Sequence, residues 1–390
     1  MPGLPFTRND RPTLGVEVEL QLVDAETFEL RNAIEEVLRE LPSELHGRVK
    51  PELMQCYIEL NTKVCQTVRE AGEDLLALLR QVEAVADRLG LKLFWAATHP
   101  FSSWRNQRIT VNDRYYRLVD LMQDVARRLV AFGLHVHVGV DTGDKAVMVC
   151  DHMLQYLPLL LALSANSPFW EGRNTGLYSN RSKIMEGLPT AGLPYQMRNW
   201  SEYVWLVRHL EQTGFINTIR EIWWDIRPHN NFGTVEIRVC DMPPSIDQVL
   251  ALTALIQCLV THISTEIDSG TFRSPYHPMM VQQNKWRATR FGPHAQLVDH
   301  YDHQQYPVAE LAARLVDRLM PTARELQCVD ELKAVAWLPA RSGADEQLRI
   351  FEETGSRRDV VREMLQRHHW RRSRLLAPHR THDSLMANRT

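Results

Sequence analysis

Six stretches of the chain carry apolar residues at helical spacing: Glu70 to Leu89, Arg114 to Phe132, Lys145 to Ser164, Glu202 to Gln212, Ile246 to Ile267 and Ala309 to Leu326. Each is predicted to be an amphipathic helix. Shorter runs between them alternate apolar and polar residues and are predicted to be strands: Leu14 to Val23, Cys56 to Asn61, Leu91 to Ala97, Leu134 to Val140 and Gly233 to Cys240. In the first run Val16, Val18, Leu20 and Leu22 share one face while Glu17, Glu19 and Gln21 share the other. Three further runs repeat the scheme, with Tyr57, Glu59 and Asn61, then His135 and His137, then Thr234, Glu236 and Arg238 on their polar faces. Strands of a doubly wound parallel sheet are buried on both faces and read as apolar throughout, so this alternation excludes that class. The expected fold is α+β, a curved and mostly antiparallel sheet with helices packed on its apolar outer face and a functional cavity on its polar face.

No repeat and no low-complexity linker divides the chain; Thr142-Gly143-Asp144 and Pro243-Pro244-Ser245 are simple turns between elements. One catalytic domain over residues 1–366 is expected. Beyond it lies a basic tail, 367–390, containing Arg367, Arg371, Arg372, Arg374 and Arg380. The arginine-rich stretch from Arg357 onward is expected to form a terminal helix that gives way to a solvated tail.

The polar faces change the picture from fold to chemistry. Residues two apart on a strand lie about 6.6 Å apart, and two ionised carboxylates at that separation repel by on the order of 2 kcal/mol at an effective dielectric near 20. Glu17, Glu19, Glu59 and Glu236 in one cavity multiply that repulsion, against a total stability of only about 5–15 kcal/mol. Such a cluster calls for open water or for cations. Hard oxygen ligands with one imidazole suit Mg²⁺ or Mn²⁺, and the planar fork of Arg238 suits a phosphoryl oxygen, so the set reads as phosphoryl transfer. The plain alternative, a strand face that simply meets water, is weakened by the residue types: solvated faces favour Thr, Ser and Lys, whereas these carry Glu-x-Glu, His-x-His and Glu-x-Arg. Substituting Gln for Glu17 or Glu236 is expected to end turnover while leaving the metal-free melting temperature unchanged or higher, because repulsion is relieved.

Composition narrows the partners. A net charge of -3 and a pI near 6.6 give no broad basic field for nucleic acid. The N-terminus lacks the apolar core of a signal peptide, and the stretch 146–165, read as the most apolar helical one, is interrupted by Asp151, His152 and Gln155, so neither export nor a membrane span is expected. Six scattered cysteines without a C-x-x-C pair are expected to be reduced thiols in a cytoplasm. The chain has no Walker-type phosphate loop, no G-x-G-x-x-G after a strand and no G-x-S-x-G elbow.

Seven blocks, TLGVEVELQLVD, YIELNTKVC, ATHPFSSW, FGLHVHVGVD, ALSANSPFWEGRNTG, WWDIRPHNNFGTVEIRVCD and NKWRATRFG, resemble in this order the glutamate-cysteine ligase 2 family, in particular the YbdK-type carboxylate-amine ligases. The resemblance implies a glutamine synthetase-like fold, an antiparallel sheet forming a funnel with helices outside. It implies ATP-dependent, Mg²⁺- or Mn²⁺-supported joining of glutamate to cysteine or another amine through an acyl phosphate, and a homodimer. Carried over, Glu17, Glu19, Glu52, Glu59, His137 and Glu236 are the metal ligands, with His135 competing for the place of His137. Arg238 contacts the γ-phosphate beside Glu236. Arg173 and Arg181 are candidates for the substrate carboxylates, with an ordinary surface or helix-pairing role as the alternative. Trp223 and Trp224 are candidates for the substrate pocket or, more ordinarily, the core. Asn284, Trp286, Arg287 and Arg290 belong to a stretch that closes over the nucleotide or is a structural loop. Two rival functions remain: a metal-dependent hydrolase with zinc on His135 and His137, working without ATP, and a non-catalytic nucleotide-binding relative.

Overall fold

The computed structural model describes residues 4–367 and 373–377. Among these, seven strands form one sheet: β1 (Leu14–Asp24), β2 (Val49–Pro51), β3 (Tyr57–Asn61), β4 (Leu91–Phe94), β5 (Gly133–Gly139), β6 (Ile226–His229) and β7 (Thr234–Asp241). Their spatial order is β6-β7-β5-β1-β3-β2, with β4 paired to the far end of β1, and every pairing is antiparallel. The sheet is open, and the expected α+β class holds.

Register follows from the alternation. Val16, Val18, Leu20 and Leu22 of β1, Ile58 and Leu60 of β3, Leu134, Val136 and Val138 of β5, and Val235 and Ile237 of β7 are all buried against the helices. Each such side chain contributes about 1.5–3 kcal/mol by leaving water, and a slip of one residue would replace them all with the glutamates and histidines. Helix Ile246–Ser269 runs through the centre of the helical layer and contacts β5 and helices Val68–Arg88, Gly143–Met153 and Val308–Glu325. Its length and apolar composition would suffice to cross a membrane, yet 83% of its most apolar window is buried inside the protein.

Two predicted elements are corrected. The helix expected over Lys145 to Ser164 is two, Gly143–Met153 and Leu157–Ser164, bent by 65°. Pro158, in the first turn of the second, lacks the N–H that a continuous helix would need there. The helix expected over Arg114 to Phe132 breaks at Gln123, whose φ is +49°.

The basic tail is only partly within view: residues 368–372 and 378–390, with Arg371, Arg372 and Arg380, lie outside the described residues. The terminal helix Arg357–Arg367 is present. Residues 373–377 depart from the expected solvated tail. Ser373 Oγ donates to Asp247 Oδ1 at 2.6 Å, the Arg374 N–H donates to Asp247 Oδ2 at 3.0 Å, and Leu375 is buried.

Candidate active site

The pairing register gathers the chemistry. Across the sheet Arg227 faces Glu236, Glu236 faces His137, His135 faces Glu17, Glu17 faces Asn61, and Glu19 faces Glu59, which faces Lys50. Three ligand atoms, one each from Glu17, His135 and Glu236, lie within 4.8 Å of one another. Glu17 approaches His135 Nδ1 at 3.2 Å and His137 Nε2 at 3.5 Å, and His137 Nε2 stands 3.9 Å from Glu236. His137 also meets Thr234 Oγ1 through Nδ1 at 2.9 Å. His135 belongs to that group, and His137 stands against the same two carboxylates.

Glu236 is gripped from two sides. Arg227 Nε donates to its Oε2 at 2.6 Å and Arg238 Nη1 donates to its Oε1. Burial alone would raise its carboxyl, but the two guanidiniums hold it well below the usual range. Glu17 is likewise held low: its burial is outweighed by hydrogen bonds from His135 and His137. Burial followed by the Arg238 charge pushes His135 down to about 4, whereas His137, despite burial, is raised by Glu236 and Glu17.

The other three carboxyls behave in the opposite way. Burial lifts Glu19 to about 7, against the pull of Arg181 and with the push of Glu59. Glu52 and Glu59 are raised by burial and by neighbouring carboxylates, Glu52 well above the usual range. Lys50 tempers Glu59 at 3.5 Å, and Asn61 Nδ2 donates to it at 2.7 Å. Relief of repulsion by a Gln substitution, expected for Glu17 and Glu236, thus belongs to Glu19, Glu52 and Glu59.

The donor set fits a divalent cation. His135 Nε2 is buried without a hydrogen-bond partner, and burial together with neighbouring carboxylates raises Glu19, Glu52 and Glu59. Glu17, Glu236 and His135 could hold one ion, with Glu19, Glu52 and Glu59 as further carboxyls on the same sheet face. Carboxylates with one imidazole match Mg²⁺ or Mn²⁺ better than zinc.

Arg181 reaches this floor from helix Asn180–Met185. Its guanidinium donates to the backbone oxygens of Arg238 and Val239 and lies 2.2 Å from where a Cβ on Gly133 would stand, so a side chain at 133 would displace it. A buried network that the sequence did not reveal holds its loop. Asp241 accepts from Asn166 N at 2.9 Å, Ser167 Oγ at 2.7 Å and Ser179 Oγ at 2.8 Å, and Ser167 Oγ in turn accepts the Arg181 N–H. Asp241→Ala should leave three buried donors unpaired and lower stability by about 3 kcal/mol or more, read as an earlier urea midpoint.

Other candidates lie apart from the cluster. Arg173 is exposed on a two-residue hairpin strand that pairs with Phe169–Trp170, outside the seven-stranded sheet. Asn284, Arg287 and Arg290 sit on a helix, Pro278–Phe291, rather than a closing loop. Asn284 exchanges hydrogen bonds with Val298, Arg287 donates to Gln296 O, and Arg290 stacks on Phe291. Trp286 is part exposed, beneath Lys183. The residue of this helix that reaches toward the sheet is Lys285, which pairs with Asp225 at 2.5 Å and Glu186 at 2.6 Å. Asp225 O accepts the Arg238 N–H at 2.8 Å. Trp224 is buried in a small second core with Tyr203 and Ile222, and Trp223 packs at the edge of the main one.

An open antiparallel sheet whose polar face gathers carboxylates, imidazoles and arginines suits phosphoryl chemistry beside a divalent cation, and the relatives identify the class as ATP-dependent carboxylate–amine ligase. Residues 13–367 match the family described as "Glutamate-cysteine ligase family 2(GCS2)", and the chain belongs to that family. A protein of Gloeobacter violaceus named "Putative glutamate--cysteine ligase 2" is 43% identical over 364 residues, covering 93% of this chain and 98% of its own. One from Frankia casuarinae, named "Putative glutamate--cysteine ligase 2-1", is 45% identical over 333 residues, 84% of this chain and 87% of its own. The fold is similar to that of the Francisella tularensis glutamate–cysteine ligase solved in complex with AMP, with a TM-score of 0.67 at 14% identity over 95% of this chain and 91% of that one.

Proposed function

We propose that the protein uses ATP to join the γ-carboxylate of glutamate to cysteine or another amine, releasing ADP and phosphate. A carboxylate oxygen attacks the γ-phosphorus and ADP leaves; the amine nitrogen then attacks the acyl carbon, the phosphate departs with its electron pair, and the nitrogen loses a proton. The observation that carries this reading is the convergence of Glu17, His135 and Glu236 within 4.8 Å, beside Arg238. Bound Mg²⁺ or Mn²⁺ would neutralise the phosphate oxygens and stabilise charge on the transferring group. Arg238, charged at any physiological pH and fixed by Glu236, is suited to meet the γ-phosphoryl oxygens. Arg181 and the low-lying sheet floor keep a second positive charge near the carboxylate that is to be activated.

A zinc hydrolase built on His135 and His137 is disfavoured because Glu17 and Glu236 stand against the two imidazoles and His137 Nδ1 already meets Thr234. The test is ADP release measured with carboxylates and amines offered in pairs. Release is expected only when ATP, a divalent cation, an acidic amino acid and an amine are all present. Turnover of an amide without ATP, or ADP release indifferent to the amine, would overturn the reading.

A further inference from the structure

Arg227, on the edge strand β6, is buried and holds two separate parts of the molecule. Its Nε donates to Glu236 Oε2 at 2.6 Å, while its Nη1 donates to the backbone oxygens of Ile222 at 2.6 Å and Ile219 at 3.3 Å. Those two oxygens bracket the short turn Ile219–Glu221. Arg220, exposed on that turn, acts on the Tyr115 hydroxyl together with Glu52 and Glu59, so the turn stands within electrostatic reach of the carboxylate cluster.

Glu236 turns one oxygen each way. Oε2 is taken by Arg227, whereas Oε1, bonded to Arg238 Nη1, is the oxygen 3.9 Å from His137 Nε2. Fixing Oε2 therefore fixes which oxygen faces the imidazoles. A guanidinium suits the task because its N–H groups point in set directions within one plane, and an ammonium brings the charge without that fork. The turn has other anchors on its far side. Glu221 Oε2 accepts the Asn217 N–H at 2.9 Å, Glu221 O accepts from Thr190 Oγ1, and Ile222 is buried in the small core with Tyr203, Ile216 and Trp224. Among the described residues, the side chain that joins the turn to Glu236 is Arg227.

We infer that Arg227 is a positioning residue: it sets the Glu236 carboxylate for a divalent cation and ties that setting to the turn 219–222, so that loosening either end loosens the other. Groups bonded to a metal ligand from behind orient it, and losing one typically costs about 10- to 100-fold in metal affinity. The inference deepens the ligase reading and rests on it for the use to which the cation is put.

The test uses the full-length protein with Mn²⁺ alone as the probe, without nucleotide. Electron paramagnetic resonance counts free Mn²⁺, and hydrogen exchange read by mass spectrometry follows peptide 213–222 in the metal-free protein. Arg227→Lys keeps the charge and loses the fork, so the tightest-bound Mn²⁺ should be held at least about tenfold more weakly and the peptide should exchange at least about tenfold faster. A side chain that acted by charge alone would leave both unchanged. Thr190→Val removes the hydroxyl that holds the turn from its far side and leaves the pair of Arg227 and Glu236 in place. It should speed exchange in the same peptide and weaken Mn²⁺ binding about threefold, and it carries the test if the lysine variant does not fold. Wild-type exchange or wild-type Mn²⁺ affinity in Arg227→Lys, or a loosened turn in Thr190→Val with Mn²⁺ affinity unchanged, would overturn the inference. If the variants respond as expected but the wild type releases no ADP with any pair of carboxylate and amine, the positioning role stands and the proposed function falls.

Discussion

Glu236→Gln is expected to cut ADP formation at least about a hundredfold and to lower the folding free energy of the metal-free protein by about 3–5 kcal/mol. Both losses follow from one side chain. Glu236 is buried between Arg227 and Arg238 and, among the described residues, is the carboxylate that pairs with both guanidiniums. A glutamine keeps the shape and one acceptor but removes the charge, leaving two cations facing one another in a low-dielectric floor. The sign is opposite to the relief of repulsion that counting glutamates in the sequence suggests, because the nearest charges to Glu236 are positive. Urea unfolding in a chelator reads the stability term and a coupled ADP assay reads the other. A variant with near-normal ADP release would remove Glu236 from the reaction, and a later urea midpoint would mean that the arginine pair is not what fixes its charge.

What could be read from the sequence has a physical boundary. Period-two alternation made the sheet, its polar face and the gathering of Glu17, Glu19, Glu59, His135, His137 and Glu236 legible, because in an antiparallel sheet facing residues meet automatically once register is set. Arg227 was invisible for a local reason: β6 is four residues long and contains Pro228, which reads as a turn. Helix Pro278–Phe291 was missed because its sequence, PMMVQQNKWRATRF, has no clean apolar stripe, so Asn284 and Arg287 passed for loop residues. Asp241, Asn166, Ser167 and Ser179 form their network between segments up to 75 residues apart, and hydrogen bonds of that kind leave no periodic mark. The direction of each carboxyl's shift was unreadable for the same reason, since it depends on whether an arginine or another glutamate lies across the strand.

Glu19 converts that last point into a measurement. Its carboxyl is lifted to about 7 in the folded protein from an ordinary value of 4.5. Below pH 4.5 it is protonated whether folded or unfolded and costs nothing. Between 4.5 and 7 the unfolded chain releases the proton while the folded protein keeps it, so metal-free stability should fall across that window by about 3 kcal/mol from this group. Above 7 the penalty is constant. Glu52 and Glu59 are raised as well and add loss of the same sign. Glu19→Gln should flatten the decline, since the amide cannot ionise and can still accept from the Gly133 N–H that now meets Glu19. In a chelator at pH 8 the variant should be the more stable protein by up to about 3 kcal/mol, and adding Mg²⁺ should close the gap by stabilising the wild type alone. Urea midpoints at pH 4.5, 6 and 8, with and without Mg²⁺, test this. An unchanged pH slope in the variant would mean that Glu19 ionises freely in the folded protein.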